Sequence, residues 1–309
     1  MAHFERGAIM RAPSAEVRAG GKGIDAARVS HSLHRPATLV VLLGDLDGDQ
    51  FSRFLKYEGL DFKTSSYQGN IRVATMYQEI NSSTMTIVNE EGPTISKSEW
   101  QSYLSAIKDE IKPGEVVASM GSFPHGVDSE DIRDFVEMVH QKGALIFFDT
   151  APHFMRWVIS HGADIVSPNL DEAEATVKGD AEDLFKGENS NGEDRARKAA
   201  IALCQMGAKV SIVHAGALGS ALAYGGTSIF IPTVKVVVAT TVGAGDSLAA
   251  GFILKCEEQG DVTQLGSINL KLALQYGSAT AAAACEMGRS GDVDPTRVQT
   301  LFEELLSIS

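Results

Sequence analysis

Short apolar runs alternate with longer amphipathic stretches along most of the chain. The runs have the length of buried strands, and the amphipathic stretches repeat apolar residues at helical spacing. Strands are predicted at 38–43, 116–120, 145–149, 165–167, 210–214 and 228–231, and helices at about 51–57, 130–141, 171–177, 193–206, 269–285 and 297–307. This alternation predicts an α/β fold whose mainly parallel central sheet is covered by helices on both faces.

Two stretches follow a period of two instead. Residues 71–77 alternate, and after Asn81-Ser82-Ser83 a partner strand is predicted over 84–88. This pattern predicts a hairpin outside the main sheet. Residues 12–19 also alternate and predict a short strand.

Composition narrows the class of protein. The 309 residues are 44% hydrophobic and 22% charged, which is typical of a globular chain with one large domain and an appendage, or two small domains. The net charge of −13 argues against binding to nucleic acid or anionic membranes. The first residues contain no apolar signal segment, and three scattered cysteines suggest neither a metal site nor a disulfide framework. A cytoplasmic protein is expected.

The most informative stretch is 236–258. A β-branched run over 236–241 predicts a strand, and a helix is predicted from Asp246 to about 258. Gly243 and Gly245 between them permit close approach of a ligand to the backbone, and the free N–H groups of a first helical turn attract anions.

Asp246 lies where its negative charge would repel a phosphate, so it is better suited to taking a proton from an attacking hydroxyl. The alternative is that Asp246 only caps the helix. Gly243, Gly245 and Gly251 also loosely resemble a dinucleotide-binding fingerprint. That motif requires a further strand after its helix, and no strand is predicted after Phe252.

A second glycine-rich stretch, Gly20-Gly21-Lys22-Gly23, precedes a helix predicted over 26–33. Glycines and a lysine before a helix again suggest an anion site. The alternative is an ordinary turn with a solvated lysine.

These stretches carry a family resemblance. Thr241, Gly243, Ala244, Gly245 and Asp246 closely resemble the second signature of the ribokinase-like, or PfkB, carbohydrate kinases. The resemblance implies that Asp246 is the catalytic base and that the amides from Gly243 to Asp246 form an anion hole.

Residues 20–27 resemble the first signature of the family, which contacts the sugar. Gly21, Lys22, Gly23 and Asp25 are then expected to bind substrate. Asp25 stands where Asn is usual, and an ionised Asp can only accept hydrogen bonds, so recognition of the sugar hydroxyls could differ.

The resemblance also implies a single ribokinase-like domain over 1–309, with a β lid formed by about 8–20 and 66–92. Arg72 falls where members that bind hexose phosphates carry an arginine for the substrate phosphate, and arginine can bind phosphate bidentately. An isolated solvated arginine is the alternative. Ser122 lies in a stretch, 121–126, that resembles an active-site lining of the family, and so does the stretch from Asp149 to Pro152.

For the nucleotide side, the resemblance implies ATP and Mg²⁺ and allows a monovalent cation. Asn169 and Glu172 are expected to hold Mg²⁺ through water, although a plain capping box would explain the same pair. His214, Gly216, Gly219 and Thr241 are expected near ATP. His214 replaces the usual Ser or Thr, and the alternative is a packed residue at a strand end.

Taken together, these motifs are most similar to the 1-phosphofructokinase and tagatose-6-phosphate kinase branch. They predict an ATP-dependent kinase acting on a hydroxyl of a phosphorylated ketohexose, of the fructose 1-phosphate or tagatose 6-phosphate type. The alternatives are a kinase for an unphosphorylated sugar or nucleoside, and a weakly active sugar-phosphate sensor. A homodimer through the lid is expected.

One departure concerns the sheet. Family members begin with a central strand ending in Asn-Pro-Ala-x-Asp, and this sequence starts after it, at His-Phe-Glu-Arg-Gly. By comparison with that family pattern, an N-terminal core strand is expected to be missing. A start codon placed about twenty residues late is the hypothesis, since a missing inner strand would leave backbone groups unpaired; genuine loss of the strand is the alternative.

Overall fold

The computed structural model describes residues 4–79, 85–178 and 191–308. The strands are β1 (Leu39–Gly44), β2 (Phe62–Tyr67), β3 (Ala74–Gln78), β4 (Met85–Asn89), β5 (Val116–Met120), β6 (Leu145–Asp149), β7 (Ile165–Val166), β8 (Val210–His214), β9 (Gly219–Tyr224) and β10 (Thr227–Pro232). The helices are α1 (Lys22–Ser32), α2 (Gly48–Tyr57), α3 (Lys97–Glu110), α4 (Ser129–Gln141), α5 (Pro152–Ser160), α6 (Leu170–Val177), α7 (Gly192–Met206), α8 (Ala244–Glu258), α9 (Leu270–Glu286) and α10 (Pro295–Ile308).

Six strands form the central sheet, in the order β10-β9-β8-β7-β6-β5. The pairs from β5 to β8 are parallel, and β9 and β10 add antiparallel strands at one edge. Strands β1 and β2 form a separate parallel pair, and β3 and β4 form an antiparallel hairpin. The predicted α/β class with a mainly parallel sheet is confirmed.

Side chains of β6 show why its sequence is apolar throughout. Ile146 and Phe148 pack into a core with residues of α3 to α7, whereas Leu145 and Phe147 pack into a second core with residues of α8 to α10. Successive strand residues point to opposite faces, so a strand covered on both faces must be apolar at every position. Helices therefore cover both faces, as predicted.

Two predicted strands are wrong. Residues 12–19 form no regular element, and most of them are exposed, because no sheet edge pairs with them. The run over 236–241 is also outside any strand: the N–H groups of Ala239 and Thr240 donate to the carbonyl of Cys285 at the end of α9. The β-branched residues cross from the sheet to that helix instead of extending the sheet.

Four elements escaped the sequence patterns. The six residues of β2 are largely polar and exposed, and β9 consists mainly of small residues after a glycine. The short helix α5 and the longer α3 were also missed, although Ser96 and Glu99 form a capping box that marks the start of α3.

The hairpin predicted from residue 71 is confirmed as β3 and β4, with Met76 opposite Ile87. Its predicted turn at Asn81-Ser82-Ser83, and Thr84, lie outside the described residues. None of the helices in the described ranges combines the length and the apolarity needed to cross a bilayer.

Candidate active site

The turn before α8 has a backbone conformation that favours glycine. Gly243 has a φ of 79°, a left-handed conformation, and a Cβ built there would lie 3.0 Å from the Cβ of Ser290. The helix begins at Ala244, and the N–H of Ser247 donates to the carbonyl of Gly243. Asp246 is therefore held in the first turn.

Two backbone amides of this turn are free to receive a ligand. The N–H of Ala244 donates to the carbonyl of Thr241 at 3.3 Å. The N–H groups of Gly245 and Asp246 have no acceptor among the described residues. They point out of the positive end of the helix dipole, which favours an anion.

The carboxyl group of Asp246 is buried and unpaired. The residue is 7% exposed, and no side chain in the described part of the chain forms a hydrogen bond or ion pair with it. Burial, followed by the negative charges of Asp149 and Asp25, raises the pKa of Asp246 to about 8, while Lys22 acts in the opposite direction. The site thus holds a carboxyl group that can exchange a proton near neutral pH.

Lys22 begins α1, directly after Gly21, whose φ is 140°. Its Nζ donates to Oδ1 of Asp149 at 2.6 Å. Burial opposes the charge of Lys22, but Asp149 outweighs that effect and the pKa of Lys22 stays above its usual value. The ammonium group predicted to meet the substrate thus already has a buried carboxylate partner, at the C-terminal end of β6.

Asp25, also in the first turn of α1, lies in an ionic cluster with Arg28, Glu58 and Arg18. Nη1 of Arg28 donates to Oδ1 of Asp25 at 2.6 Å, and Arg28 also donates to both carboxylate oxygens of Glu58. Burial raises the pKa of Asp25, and the guanidinium of Arg28 counteracts that rise.

Arg72 and Ser122 line the same cleft as Asp246. Both are exposed, and Arg72 is in the loop just before β3. The cleft brings together most of the residues predicted to bind substrate and to carry out catalysis, namely Gly21, Lys22, Gly23, Asp25, Arg72, Ser122, Gly243 and Asp246.

Asn169 and Glu172 form the capping box that was the alternative to a metal role. Asn169 Oδ1 accepts from the N–H of Glu172 at 2.9 Å, and Glu172 Oε2 accepts from the N–H of Asn169 at 3.1 Å. Glu172 nevertheless affects the pKa of Asp246, Lys22 and His214. Its carboxylate therefore lies within electrostatic range of Asp246.

His214 ends β8 and is packed against its neighbours. Its Nε2 lies 2.7 Å from Oγ of Ser167, and burial lowers the pKa of His214 to about 4, so the ring is neutral. Gly216 and Gly219 flank a short 3₁₀ turn after it, and a Cβ at Gly219 would collide with the carbonyl of Ile231. His214, Gly216, Gly219 and Thr241 do not line the cleft that contains Asp246.

Sequence patterns did not identify the residues whose charges shift the pKa values of Asp25 and Asp246. Asp149 was expected only to line the site, and Arg28 and Glu58 were not singled out. Asp149 and Glu58 contact α1 from distant elements, for which spacing along the chain gives no signal. Arg28 follows Asp25 by three residues on the same helix, a spacing at which an ion pair can be predicted. An apolar strand ending in Asp149 at the ligand-binding edge of a parallel sheet was a second usable clue.

Comparison with known proteins agrees with this geometry. The model of the pfkB family carbohydrate kinases matches residues 2–297. A 1-phosphofructokinase from Rhodobacter capsulatus is 25% identical over 293 residues, which cover 94% of this chain and 86% of that protein.

Solved structures agree in fold. The tetrameric inhibited form of phosphofructokinase-2 from Escherichia coli superposes with a TM-score of 0.84 at 22% identity, covering 98% of this chain and 93% of that one. A ribokinase from Thermotoga maritima gives a TM-score of 0.66 at 18% identity, covering 97% and 93%. The fold is ribokinase-like, and the chain belongs to the pfkB family of carbohydrate kinases.

Proposed function

We propose that this carbohydrate kinase transfers the γ-phosphoryl group of ATP to a hydroxyl of a phosphorylated ketohexose, of the fructose 1-phosphate or tagatose 6-phosphate type. The observation that carries the proposal is the unpaired, buried Asp246 beside two free amides in one helical turn. A base and an anion site at that spacing fit the transfer of a phosphoryl group to an alcohol.

In the proposed reaction, Asp246 takes the proton of the sugar hydroxyl as its oxygen attacks the γ-phosphorus. The bond from that phosphorus to the β,γ-bridging oxygen breaks, and ADP leaves with the electron pair. The N–H groups of Gly245 and Asp246 donate to the transferring oxygens, where negative charge is concentrated.

Asn169 and Glu172 fit a role around Mg²⁺ only through water. Each uses an oxygen within the capping box, and no cluster of three metal-ligating side chains occurs in the described ranges. Mg²⁺ retains much of its water shell, so the second lone pair of Asn169 Oδ1 and the remaining carboxylate oxygen of Glu172 are enough to orient that water. The ion would supply positive charge to the phosphates of ATP.

Arg72 is the residue proposed to bind the phosphate already on the sugar. It is exposed in the cleft, and no ion pair involves it in the described part of the chain, whereas Lys22 is held by Asp149. A guanidinium with free donors can bind phosphate at two points.

Replacing Arg72 by Ala tests this assignment. KM for the sugar phosphate should rise roughly 10–100-fold, as expected for lost hydrogen bonds to a charged group, with kcat little changed. Arg53→Ala, an exposed arginine on α2 that does not line the cleft, is the matched control. Equal loss on free sugars and sugar phosphates would favour the kinase for unphosphorylated sugars or nucleosides.

The reaction class is tested by ADP release from Mg-ATP across free sugars, sugar phosphates and nucleosides. Turnover on one phosphorylated ketohexose supports the proposal. Binding of a sugar phosphate without turnover, by a folded protein, would overturn it and favour a sensor.

The hairpin supports a homodimer through the lid. Val73, Met76, Ile87 and Val88 are each about half exposed there, and Met76 pairs with Ile87 on one face. An apolar surface of this kind is typical of a protein interface. Sedimentation of Met76→Lys should show monomers if the lid is the interface, and an unchanged dimer would exclude it.

A further inference from the structure

Residues 68–73 form the loop that leads from β2 to the hairpin of β3 and β4, and carboxylate side chains hold this loop along its length. Four of its backbone N–H groups each donate to a carboxylate at 2.7–2.9 Å, namely those of Gln68, Gly69, Ile71 and Val73. The acceptors come from three other parts of the chain and are, in the same order, Glu99, Asp45, Asp47 and Glu90. Hydrogen bonds to ionised groups are stronger than those between neutral groups, so these bonds fix the position of the loop.

The turn after β1 packs directly against the centre of this loop. The N–H of Leu46 donates to the carbonyl of Gly69 at 3.2 Å, and a Cβ built at Gly44 would collide with that carbonyl. The hydroxyl of Tyr67 donates to the carbonyl of Asn70 at 2.7 Å. The carbonyl side of the loop is therefore held as well as its N–H side.

Asp47, in that turn, stands where a side chain would ordinarily cap α2. An N-cap aspartate usually accepts a hydrogen bond from the second or third residue of its own helix. The side chain of Asp47 makes no such bond, and its Oδ1 accepts from the N–H of Ile71 at 2.9 Å instead. The carboxylate thus stabilises the loop and leaves its own helix without a side-chain cap.

Arg72 directly follows this bond, and its side chain is exposed in the cleft. The backbone is held on both sides of it, at Ile71 by Asp47 and at Val73 by Glu90. Burial and then the charge of Asp47 raise the pKa of Tyr67, while Arg72 acts in the opposite direction. The carboxylate of Asp47 and the guanidinium of Arg72 therefore lie within electrostatic range of the same hydroxyl.

We infer that Asp47 is a positioning residue for substrate binding: through the N–H of Ile71 it holds the backbone that presents Arg72 to the phosphate group of the sugar. The inference rests on the proposed function of Arg72. Affinity falls in proportion to the fraction of time that a binding group spends in its binding conformation, so a fixed loop strengthens binding. Asp47 acts here through its hydrogen bond, since its negative charge would itself repel a phosphate.

Asp47→Ala and Asp47→Asn separate the hydrogen bond from the charge. Both variants remove the negative charge, but Asn keeps an oxygen that can accept from the N–H of Ile71. Calorimetry without ATP measures the binding of fructose 1-phosphate and tagatose 6-phosphate, so turnover is not needed. Kd for the sugar phosphate should rise roughly tenfold in Asp47→Ala and stay at or below the wild-type value in Asp47→Asn.

Equal affinities of the two variants would overturn the inference, because the bond to Ile71 would then contribute nothing. Tighter binding by both would mean that Asp47 acts only by repelling phosphate. Asp49→Ala is the matched control, because Asp49 is an exposed acid in the first turn of the same helix and does not line the cleft. This control should bind as wild type does, and a tenfold loss there would show a general effect of α2 and overturn the inference.

A double-mutant cycle tests whether Asp47 acts through Arg72. In the Arg72→Ala background, Asp47→Ala should cause no further rise in Kd, because the side chain that the loop presents is already absent. A second loss of the same size would overturn the inference, since Asp47 would then support a different contact with the sugar.

Hydrogen exchange without ligand distinguishes failure of the inference from failure of the proposed function. The amide of Ile71 should exchange roughly tenfold faster in Asp47→Ala than in wild type or Asp47→Asn. If it does, but Arg72→Ala binds the sugar phosphates as wild type does, the hold of Asp47 on the loop stands and the proposed phosphate role of Arg72 is wrong. An unchanged exchange rate in Asp47→Ala overturns the inference, whichever sugar is the substrate.

Discussion

Two aspartates occupy equivalent places in the molecule. Asp25 lies in the first turn of α1 and Asp246 in the first turn of α8, each helix follows a glycine with positive φ, and each residue is 7% exposed. Arg28 donates to Asp25 at 2.6 Å, whereas Asp246 has no side-chain partner in the described part of the chain. Burial and the charges of Asp149 and Asp25 raise the pKa of Asp246 to about 8.

The difference shows that position at a helix start does not by itself make a carboxylate reactive. A guanidinium beside Asp25 satisfies its charge and fixes its geometry, which suits a binding or structural role. Asp246 is left with the cost of burial and with repulsion from Asp149, which suits proton exchange. Asp25 has a guanidinium partner and Asp246 has no side-chain partner among the described residues, and this difference determines the chemistry of each acid.

The largest expected effect is on turnover. Asp246→Asn should reduce kcat by about 10²–10⁴-fold, the contribution typical of a general base, while ATP binding is kept. Asp25→Asn should remain within about tenfold of wild type, or about 1.4 kcal/mol in the barrier. Steady-state ADP release measures both variants, and equal losses would break the contrast between the two residues.

Next in size is a dependence of folding stability on pH. Because the pKa of Asp246 is raised on folding, wild type loses stability as pH rises towards 8, and the loss is complete above it. The stability of Asp246→Asn relative to wild type should grow by roughly 4 kcal/mol between pH 5 and pH 9. Urea unfolding across that range measures it, and parallel curves would show that Asp246 is not buried as a neutral acid.

A smaller effect is expected in the pH dependence of kcat/KM. The base must be ionised, so kcat/KM should rise with pH and level off above about 8. Asp149→Asn removes a negative charge that raises the pKa of Asp246, so the midpoint should move to lower pH. Asp261→Asn, on an exposed turn, is the control and should leave the midpoint in place.

The smallest effect concerns the ionic cluster. Asp25→Asn takes one anionic partner from Arg28 but leaves Glu58, so the free energy of unfolding should fall by only about 1–2 kcal/mol. Thermal unfolding measures the loss. A fall as large as that expected from an unpaired buried charge, about 3–5 kcal/mol, would mean that Glu58 does not compensate.

Much of the fold could be predicted because its strands are buried on both faces. The apolar run of β6 has the same appearance in any protein with a parallel sheet. Residues 236–241 are rich in β-branched residues and also predicted a strand, yet they pair with the end of α9 through Ala239 and Thr240. Strand pairing is decided by neighbours in space, and these are not visible in local periodicity.

The same distinction between local and long-range contacts applies to the candidate site. Asp246 and its glycines form one contiguous turn, so their arrangement could be predicted from sequence. The ion pair of Lys22 with Asp149 joins residues far apart in the chain, so the pattern at Lys22 predicted an anion or substrate site without indicating this partner. The roles of Arg72 and Asn169 remain predictions, since each depends on a ligand.

The most direct test of the account is a titration of the aspartate carboxyl carbons by ¹³C NMR in wild type, Asp246→Asn and Asp25→Asn. A carboxyl group with a pKa near 8 is expected in wild type, and its signal should be present in Asp25→Asn and absent in Asp246→Asn. If no aspartate titrates above about pH 6, well outside the ordinary range for that side chain, Asp246 is not the unpaired buried acid on which the proposed mechanism depends. Persistence of the signal in Asp246→Asn would contradict the account equally.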